Sequence, residues 1–548
     1  MNANDTGRGE VWSFGVLSQA SILRPYGHTY MVPFGIDQTL HTLATFCAAC
    51  GVDAWLVGGA VRDIACGVAP ADFDLAVDGD GLGLARALAD SLGGAFVALD
   101  DERSTGRAVI PARTDAPALI VDIARLRAPD IASDLRLRDV TINALAIPLT
   151  PASLEALSKD SFSAGPLAAS IIPAPWLDPT GGLDDLRSGL LRACGPTSMA
   201  DDPLRTLRAA RLGAALGLRA APELEAQIRA AAVGLADVAA ERVRDELLKL
   251  LDCPASAPWL CYLDGCGVLT SILPELEPAR ACTQPRVHFL PVLAHMLETV
   301  ACLEWLLRGL GGGWAAGVED ALGPVAVRAN PGLPRDLPYA EGYAALMGES
   351  RGGGRRRVAL LKLAALIHDN AKPQTKQVAP DGKVSFYGHQ EIGADVAAQI
   401  GRRLRLSRQD SAYVALVVRE HMRPGQLRAG EVITPRAVVR LFRDLGDAGP
   451  DVLLHELADH MASRGPQLQP DHWRAHLAWI AALLDTHWGQ PEERRAPLLR
   501  GTDLIAELGL PPGPQIGALL RAIAEAQAVG EIASREAALA LAQEILGR

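Results

Sequence analysis

Three aspartates stand where apolar residues would be expected. Asp72 and Asp74 lie one residue apart in DFDLAV, and Asp122 interrupts LIVDIARL. Strand side chains at i and i+2 share one side, so Asp72 and Asp74 point together while Phe73 and Leu75 face a core. Carboxylates held together repel, and burial makes this worse. A divalent cation resolves the conflict, and Mg²⁺ is commonly held by one or two carboxylates plus substrate phosphates. A bare Asp-x-Asp is more often an exposed strand edge, so the neighbours decide. Gly58-Gly59 lets backbone N–H groups approach a phosphate at a helix start, and Arg62 follows three residues on. Asp122 can add a third carboxylate. Two metals on three carboxylates suit an in-line displacement at phosphorus.

A second group of residues occupies the other half of the chain. LIHDNAKP (366–373) is an apolar run ending in His368-Asp369. His288 and His295 lie near one helical face, and His389, His421 and Asp459 follow. Imidazole and carboxylate together suit Mn²⁺, Ni²⁺, Fe²⁺ or Zn²⁺ better than Mg²⁺. A lone His-Asp pair is a weak signal. His472, His476 and His487 have no evident partners and read as surface or packing residues.

The elements that must position these groups follow from periodicity. Residues 38–50 suit a helix. AWLVGGAVRD reads as strand, glycine turn and helix start, and DFDLAV as a strand. GLGLARALADSLGG is a helix closed by glycine, and AFVALD, RAVIPA and ALIVDIARL are further strands. After Gly182 the strands stop and Ala/Leu/Arg-rich helices take over. Residues 309–357, bracketed by GLGGG and RGGGRRR, read as an inserted loop. A break at GLPPGPQIG (509–517) divides the last helices.

The chain has 548 residues, 49% of them apolar, with a net charge of −11. A nucleic-acid partner must therefore be held by local basic patches. The nine cysteines form no framework; Cys47 and Cys50 make a lone CxxC that reads as structural thiols. No signal sequence or membrane-length apolar run is seen, so a cytoplasmic protein is expected.

Four ordered motifs carry a resemblance. LVGGAVRD…DFDLAV, DLRLRDVTINALAI (134–147), DPTGGLDDLRSGLLR (178–192) and DDPLRTLRAARL (201–212) resemble the class II tRNA nucleotidyltransferase and bacterial poly(A) polymerase family. The resemblance implies a DNA-polymerase-β-like α/β head followed by an all-α neck and body, an HD domain and a helical tail. It implies Mg²⁺ on Asp72 and Asp74, with Asp122 helping to deprotonate the attacking 3′ hydroxyl. It implies nucleotide contacts at Gly58, Gly59, Arg62, Arg138, Asp139 and Asn143. Asp202 and Arg205 would read the Watson–Crick edge of CTP or ATP, an acid accepting and a guanidinium donating. Arg208 and Arg211 would hold phosphates or the base region. On its own, the motif reads as a helix starting at Asp201-Asp202-Pro203 with apolar Leu204, Leu207 and Leu212. AERVRDELLKLL (240–251) reads mainly as structural.

Two departures matter. Leu137 replaces the first arginine of the family's Arg-Arg-Asp, and only 17 residues span Asp122 to Arg138. CCA-adding members carry there a flexible loop that lets the site switch from CTP to ATP. Its shortening resembles the CC-adding subgroup; complete CCA addition, A-adding and poly(A) activity stay open. The substrate implied is a tRNA 3′ end, bound along basic helical surfaces by shape more than sequence. The histidine-rich half resembles an HD phosphohydrolase domain. That resemblance implies ligands His295, His368, Asp369 and Asp459, with His389 and His421 for a second metal. Ala371 stands where HD-x-GK has glycine, which leaves a vestigial domain open. An HD phosphohydrolase whose head only binds RNA also stays open, as does the oligomeric state. The expected organisation is a leader (1–40), head (41–180), neck (181–275), HD domain (280–465, with the 309–357 insertion) and helical tail (466–548).

Overall fold

The computed structural model describes residues 36–112, 118–160, 176–311, 323–351, 354–428, 433–489 and 497–547. Most of the expected leader lies outside these residues. The chain divides into two compact units, one ending at Ile272 and the other beginning at Leu273.

The first unit is built on a six-stranded sheet. Its strands are β1 (Ala54–Val57), β2 (Phe73–Val77), β3 (Ala95–Asp100), β4 (Thr105–Ile110), β5 (Leu119–Arg125) and β6 (Ala146–Pro148), in spatial order β3-β4-β5-β2-β1-β6. Only β2 and β5 pair in parallel. Register places Asp74 opposite Asp122 and Arg107 opposite the same Asp122. The apolar alternation of β2 is met: Phe73 and Leu75 are buried and Asp74 is turned the other way. The helix Gly81–Leu92 covers β3, β4 and β5 and ends at Gly93, whose φ of 67° is the left-handed cap the glycine was expected to supply. Its first residue lies against backbone: a Cβ on Gly81 would fall 2.2 Å from the Ser104 carbonyl.

Beyond the sheet the first unit is helical, with one addition. Leu190–Leu191 and Arg219–Ala220 form a two-residue parallel pair, so extended pairing persists past Gly182. The expected helix start at Asp201-Asp202-Pro203 is also displaced. Ser198–Asp201 is a separate short helix, Asp202 is extended, and the long helix runs Arg205–Leu216. The Asp202 side chain accepts from the Leu204 N–H instead, which turns the chain into that helix. Leu204, Leu207 and Leu212 are buried as expected. Gly213 lets the helix approach Ala257–Gly265, since a Cβ there would overlap the Trp259 ring.

The second unit is helical apart from a small pairing of Gln377–Val378 with Val384–Ser385. Helices Val292–Arg308, Arg357–Ile367, His389–Arg403, Arg408–Glu420 and Gly449–Arg464 pack around the histidines. The segment 309–357 is not simply a loop. It holds helices Val325–Ala329 and Ala340–Gly348, and Tyr343 and Met347 are fully buried. Glycine-rich flanks disguised an ordered piece of core. The tail helices Gly501–Leu508, Pro514–Ala528 and Arg535–Gly547 share a core of Leu504, Leu519, Ile523, Ala538 and Ala542.

Candidate active site and metal centre

A cavity of about 390 Å³ opens beside the ends of β1 and β2. Of the residues expected there, Gly58, Gly59, Asp74, Asp122, Arg138, Asp139, Asn143, Asp202, Arg205 and Arg208 line it. Asp72 precedes β2 and is exposed, outside the lining but near enough for its charge to reach Asp74. Arg62 and Arg211 are turned elsewhere. Arg62 donates to Asp63 and, at 2.7 Å, to the Asn143 side-chain oxygen; Arg211 donates to Glu246 at 2.6 Å.

Gly58 has φ 74°, and a Cβ there would lie 3.2 Å from an Arg138 guanidinium nitrogen and 3.4 Å from an Asp74 oxygen. Glycine thus satisfies both the backbone turn and the close approach of two charged groups. Burial and the Asp122 charge push the Asp74 carboxyl up, against the pull of Arg138 and Arg208. Burial also pushes Asp139 up, but Arg208, the Val140 N–H and Asn143 outweigh it and hold that carboxylate below its usual range. Arg208 reaches Asp139 at 2.9 Å.

The remaining arginines are held by their neighbours. Arg205 donates to the carbonyls of Ser198 (3.0 Å), Leu137 (3.2 Å) and Arg138 (3.4 Å). Leu137 thus contributes its backbone oxygen, which any residue at that position would supply. Arg242 reaches Asp202 at 2.9 Å.

Sequence reasoning missed Arg107. Its guanidinium grips both oxygens of Asp122, at 2.6 and 2.7 Å, in a bidentate fork. An arginine inside RAVIPA carries no local sign of this, because its partner is 15 residues away on the next strand. Arg103, Arg125 and Arg127 also line the cavity unannounced. The donor set fits a hard cation. Asp74 is a half-buried carboxylate beside a second one, held up by burial and by the Asp122 charge. Asp122 keeps lone pairs beyond those the Arg107 fork takes. Carboxylates on one wall and guanidiniums around them suit a metal-bound polyphosphate.

In the second unit, the six expected ligands converge. His295 Nε2 lies 2.9 Å from Asp459 and 3.6 Å from Asp369; His368 Nε2 lies 3.2 Å from Asp369. On the other oxygen of Asp369, His389 Nε2 stands at 3.4 Å and His421 Nε2 at 3.7 Å. Asp369 is therefore shared between two possible ligand sets. The Nδ1 atoms of His368, His389 and His421 face the carbonyls of Ala365, Phe386 and Val418 at 2.9, 2.7 and 2.7 Å. A carbonyl only accepts, so each Nδ1 carries a hydrogen, and Nε2 is the atom each ring turns inward. The facing Nε2 atoms of His389 and His421, 3.4 Å apart, then have no proton to share. Burial, then the neighbouring His368, pushes the His421 imidazole down to about 3. Imidazoles gathered around one carboxylate fit borderline transition metals. Lys372 reaches Asp369 at 2.5 Å, so the lysine of HDNAK engages the shared carboxylate despite Ala371.

His455 was also missed. It is fully buried, its ring 4.8 Å from that of His368, and its nitrogens have no hydrogen-bond partner among the described residues. Its signal was available: it precedes Asp459 by four residues, one helical turn.

The chain is similar to known proteins along most of its length. The family model described as Poly A polymerase head domain matches residues 54–192. One described as a probable RNA- and SrmB-binding site of polymerase A matches 217–280, and the HD domain matches 339–441. An A-adding tRNA nucleotidyltransferase of Deinococcus radiodurans is 34% identical over 89% of this chain and 95% of its own. A CC-adding tRNA nucleotidyltransferase of Thermus thermophilus is 31% identical over 89% and 92%. The Thermotoga maritima CCA-adding enzyme, solved in complex with tRNA, is 20% identical and shares the fold with a TM-score of 0.57, over 95% of this chain and 99% of that one. Among the described residues no helix is long and apolar enough to cross a membrane.

Proposed function

The chain belongs to the tRNA nucleotidyltransferase family, and from that premise we propose that it adds the two C residues of the CCA end to tRNA in the cytoplasm. The observation that carries the CC-adding choice is the connection between β5, which ends at Arg125, and the helix that begins at Ile131. Five residues leave no room for the loop that lets CCA-adding members switch from CTP to ATP. The second reading, A-adding, is favoured by the similarity to the Deinococcus protein.

Asp72 and Asp74 would hold Mg²⁺, which when bound activates the tRNA 3′ hydroxyl and steadies the departing pyrophosphate. Arg138 and Arg208, which line the cavity, would face the phosphates. Asp202 and Arg205 would present an acceptor and donors to the base edge, Arg205 being held rigidly by three carbonyls. The basic residues around the opening would take the tRNA backbone, with binding that weakens as salt rises.

The test uses tRNA transcripts ending at the discriminator base or already at CC, given CTP alone or CTP with ATP. The expected product is two nucleotides longer than the first substrate in both mixtures, with the second substrate untouched. Extension of only the CC-ending tRNA, by one A, would establish the A-adding reading. A third nucleotide on the first substrate would mean complete CCA addition.

The HD residues would bind a transition-metal pair bridged by Asp369 and carry a phosphohydrolase activity. Asp369→Ala is expected to remove both ions together, whereas His421→Ala removes one. Metal counting on the purified variants checks this, and equal losses would refute the bridge.

A further inference from the structure

A third group of ligand-type side chains lies in the second unit, outside every motif discussed so far. Glu456 and His460 stand one turn apart on the helix Gly449–Arg464, so both lie on one face. His476, read from sequence as a packing residue, comes from the helix Pro470–Asp485. One carboxylate oxygen and two imidazole nitrogens from these residues all lie within 4.8 Å of one another. Glu456 and His476 are buried and His460 is partly exposed.

Three details make this more than crowding. The His460 and His476 rings stack with centroids 3.8 Å apart and planes 14° apart. Two imidazolium ions would repel strongly in that arrangement, so at least one ring stays neutral and has a lone pair to give. The Trp473 and Trp479 rings lie 6.0 and 5.1 Å from His476, forming an apolar shell. The tautomer of His476 is also set by its partners. Arg428 faces Nδ1, and a guanidinium can only donate. The ring hydrogen is therefore on Nε2, which gives it to Glu456 at 2.7 Å.

We propose that Glu456, His460 and His476 form a zinc site separate from the HD centre, with the fourth position open on the partly exposed His460 side. A three-residue set of two imidazoles and one carboxylate is a familiar donor set for Zn²⁺. Loading moves one proton within His476 and sends to solvent the one that burial favours on the Glu456 carboxyl. The Nε2–H bond breaks, the Zn–Nε2 bond forms, and Nδ1 becomes protonated. Arg428, which is exposed, swings into solvent as Nδ1 becomes a donor.

The experiment counts zinc in the full-length protein after chelator stripping, reloading with Zn²⁺ and dialysis. In a His368→Ala/Asp369→Ala background, which lacks the HD centre, one equivalent of zinc is expected to remain. Adding His460→Ala removes it. A background variant that holds no zinc, or zinc that is indifferent to His460→Ala, overturns the proposal and leaves Arg428–His476–Glu456 as a hydrogen-bonded network only. Should the double variant not fold, the subtraction is made from the wild-type protein: His460→Ala must then hold one zinc fewer, and equal content overturns the site.

Discussion

Asp74→Asn is expected to lower single-turnover CMP addition by roughly 10³-fold or more while leaving tRNA affinity nearly unchanged. A metal-binding carboxylate supports several kcal/mol of charge stabilisation, and each 1.36 kcal/mol is a factor of ten. Asparagine keeps the shape of the side chain and removes the charge, so the cavity is not reshaped. A variant with more than a tenth of wild-type activity would sink the assignment of Asp74. It would also revive the rival in which the head merely binds RNA and the HD domain is the enzyme.

The same substitution is expected to raise the melting temperature of the metal-free protein. Burial and Asp122 hold the Asp74 carboxyl up. A carboxyl raised on folding stabilises the fold below its ordinary pKa and loses that contribution as pH rises through its folded value. At neutral pH the ionised side chain is therefore a cost that asparagine removes. Thermal melts without Mg²⁺ should diverge at neutral pH and converge in acid. Mg²⁺ should narrow the neutral gap by stabilising the wild type.

Arg357→Ala is expected to destabilise the second unit by about 3–5 kcal/mol, the cost of breaking a buried ion pair on one side. Arg357 is 2% exposed and Asp451 0%, with their closest atoms 2.5 Å apart. Arg357 also reaches Glu349 and the Asp447 carbonyl. Burial already raises the Asp451 carboxyl against the pull of Arg357, so removing the arginine strands it. Urea unfolding measures the loss. Arg357→Met/Asp451→Leu should recover most of it, because apolar replacement of a buried pair is often neutral or better. The helix that begins at Arg357 ends at Ile367, directly before His368-Asp369. Metal retention at the HD centre should therefore fall with stability in the single variant. A loss below about 1 kcal/mol, the range of exposed pairs, would show that Arg357 carries no such role.

What could be read from sequence follows the range of the interactions. The glycine that closes Gly81–Leu92 acts on its immediate neighbours, and Gly58 and Asp74 are announced by local spacing even though their partners Arg138 and Asp122 lie far along the chain. The head strands were legible for the same reason, since period-two burial is local. Arg107 and His476 act across strands or helices, where no spacing rule reaches. Arg211 looks like part of an arginine face yet is held by Glu246, 35 residues on. The helix Ala340–Gly348 escaped because glycine and proline dominate its surroundings, while its burial depends on partners such as the Pro450 carbonyl that holds the Tyr343 hydroxyl.

The row Arg107–Asp122–Asp74 runs across three adjacent strands at one level of the sheet. Side chains alternate faces along a strand, so a slip of one residue in β5 would send Asp122 to the opposite face and place an apolar neighbour in the row. Strand pairing is thus itself a quality check on the enzyme. A misregistered head would keep its backbone ladders and its circular dichroism, yet have no carboxylate pair to offer a cation. In refolding, recovery of secondary structure would then overcount the active molecules. The yield of competent protein would be the fraction that also binds nucleotide in the presence of Mg²⁺.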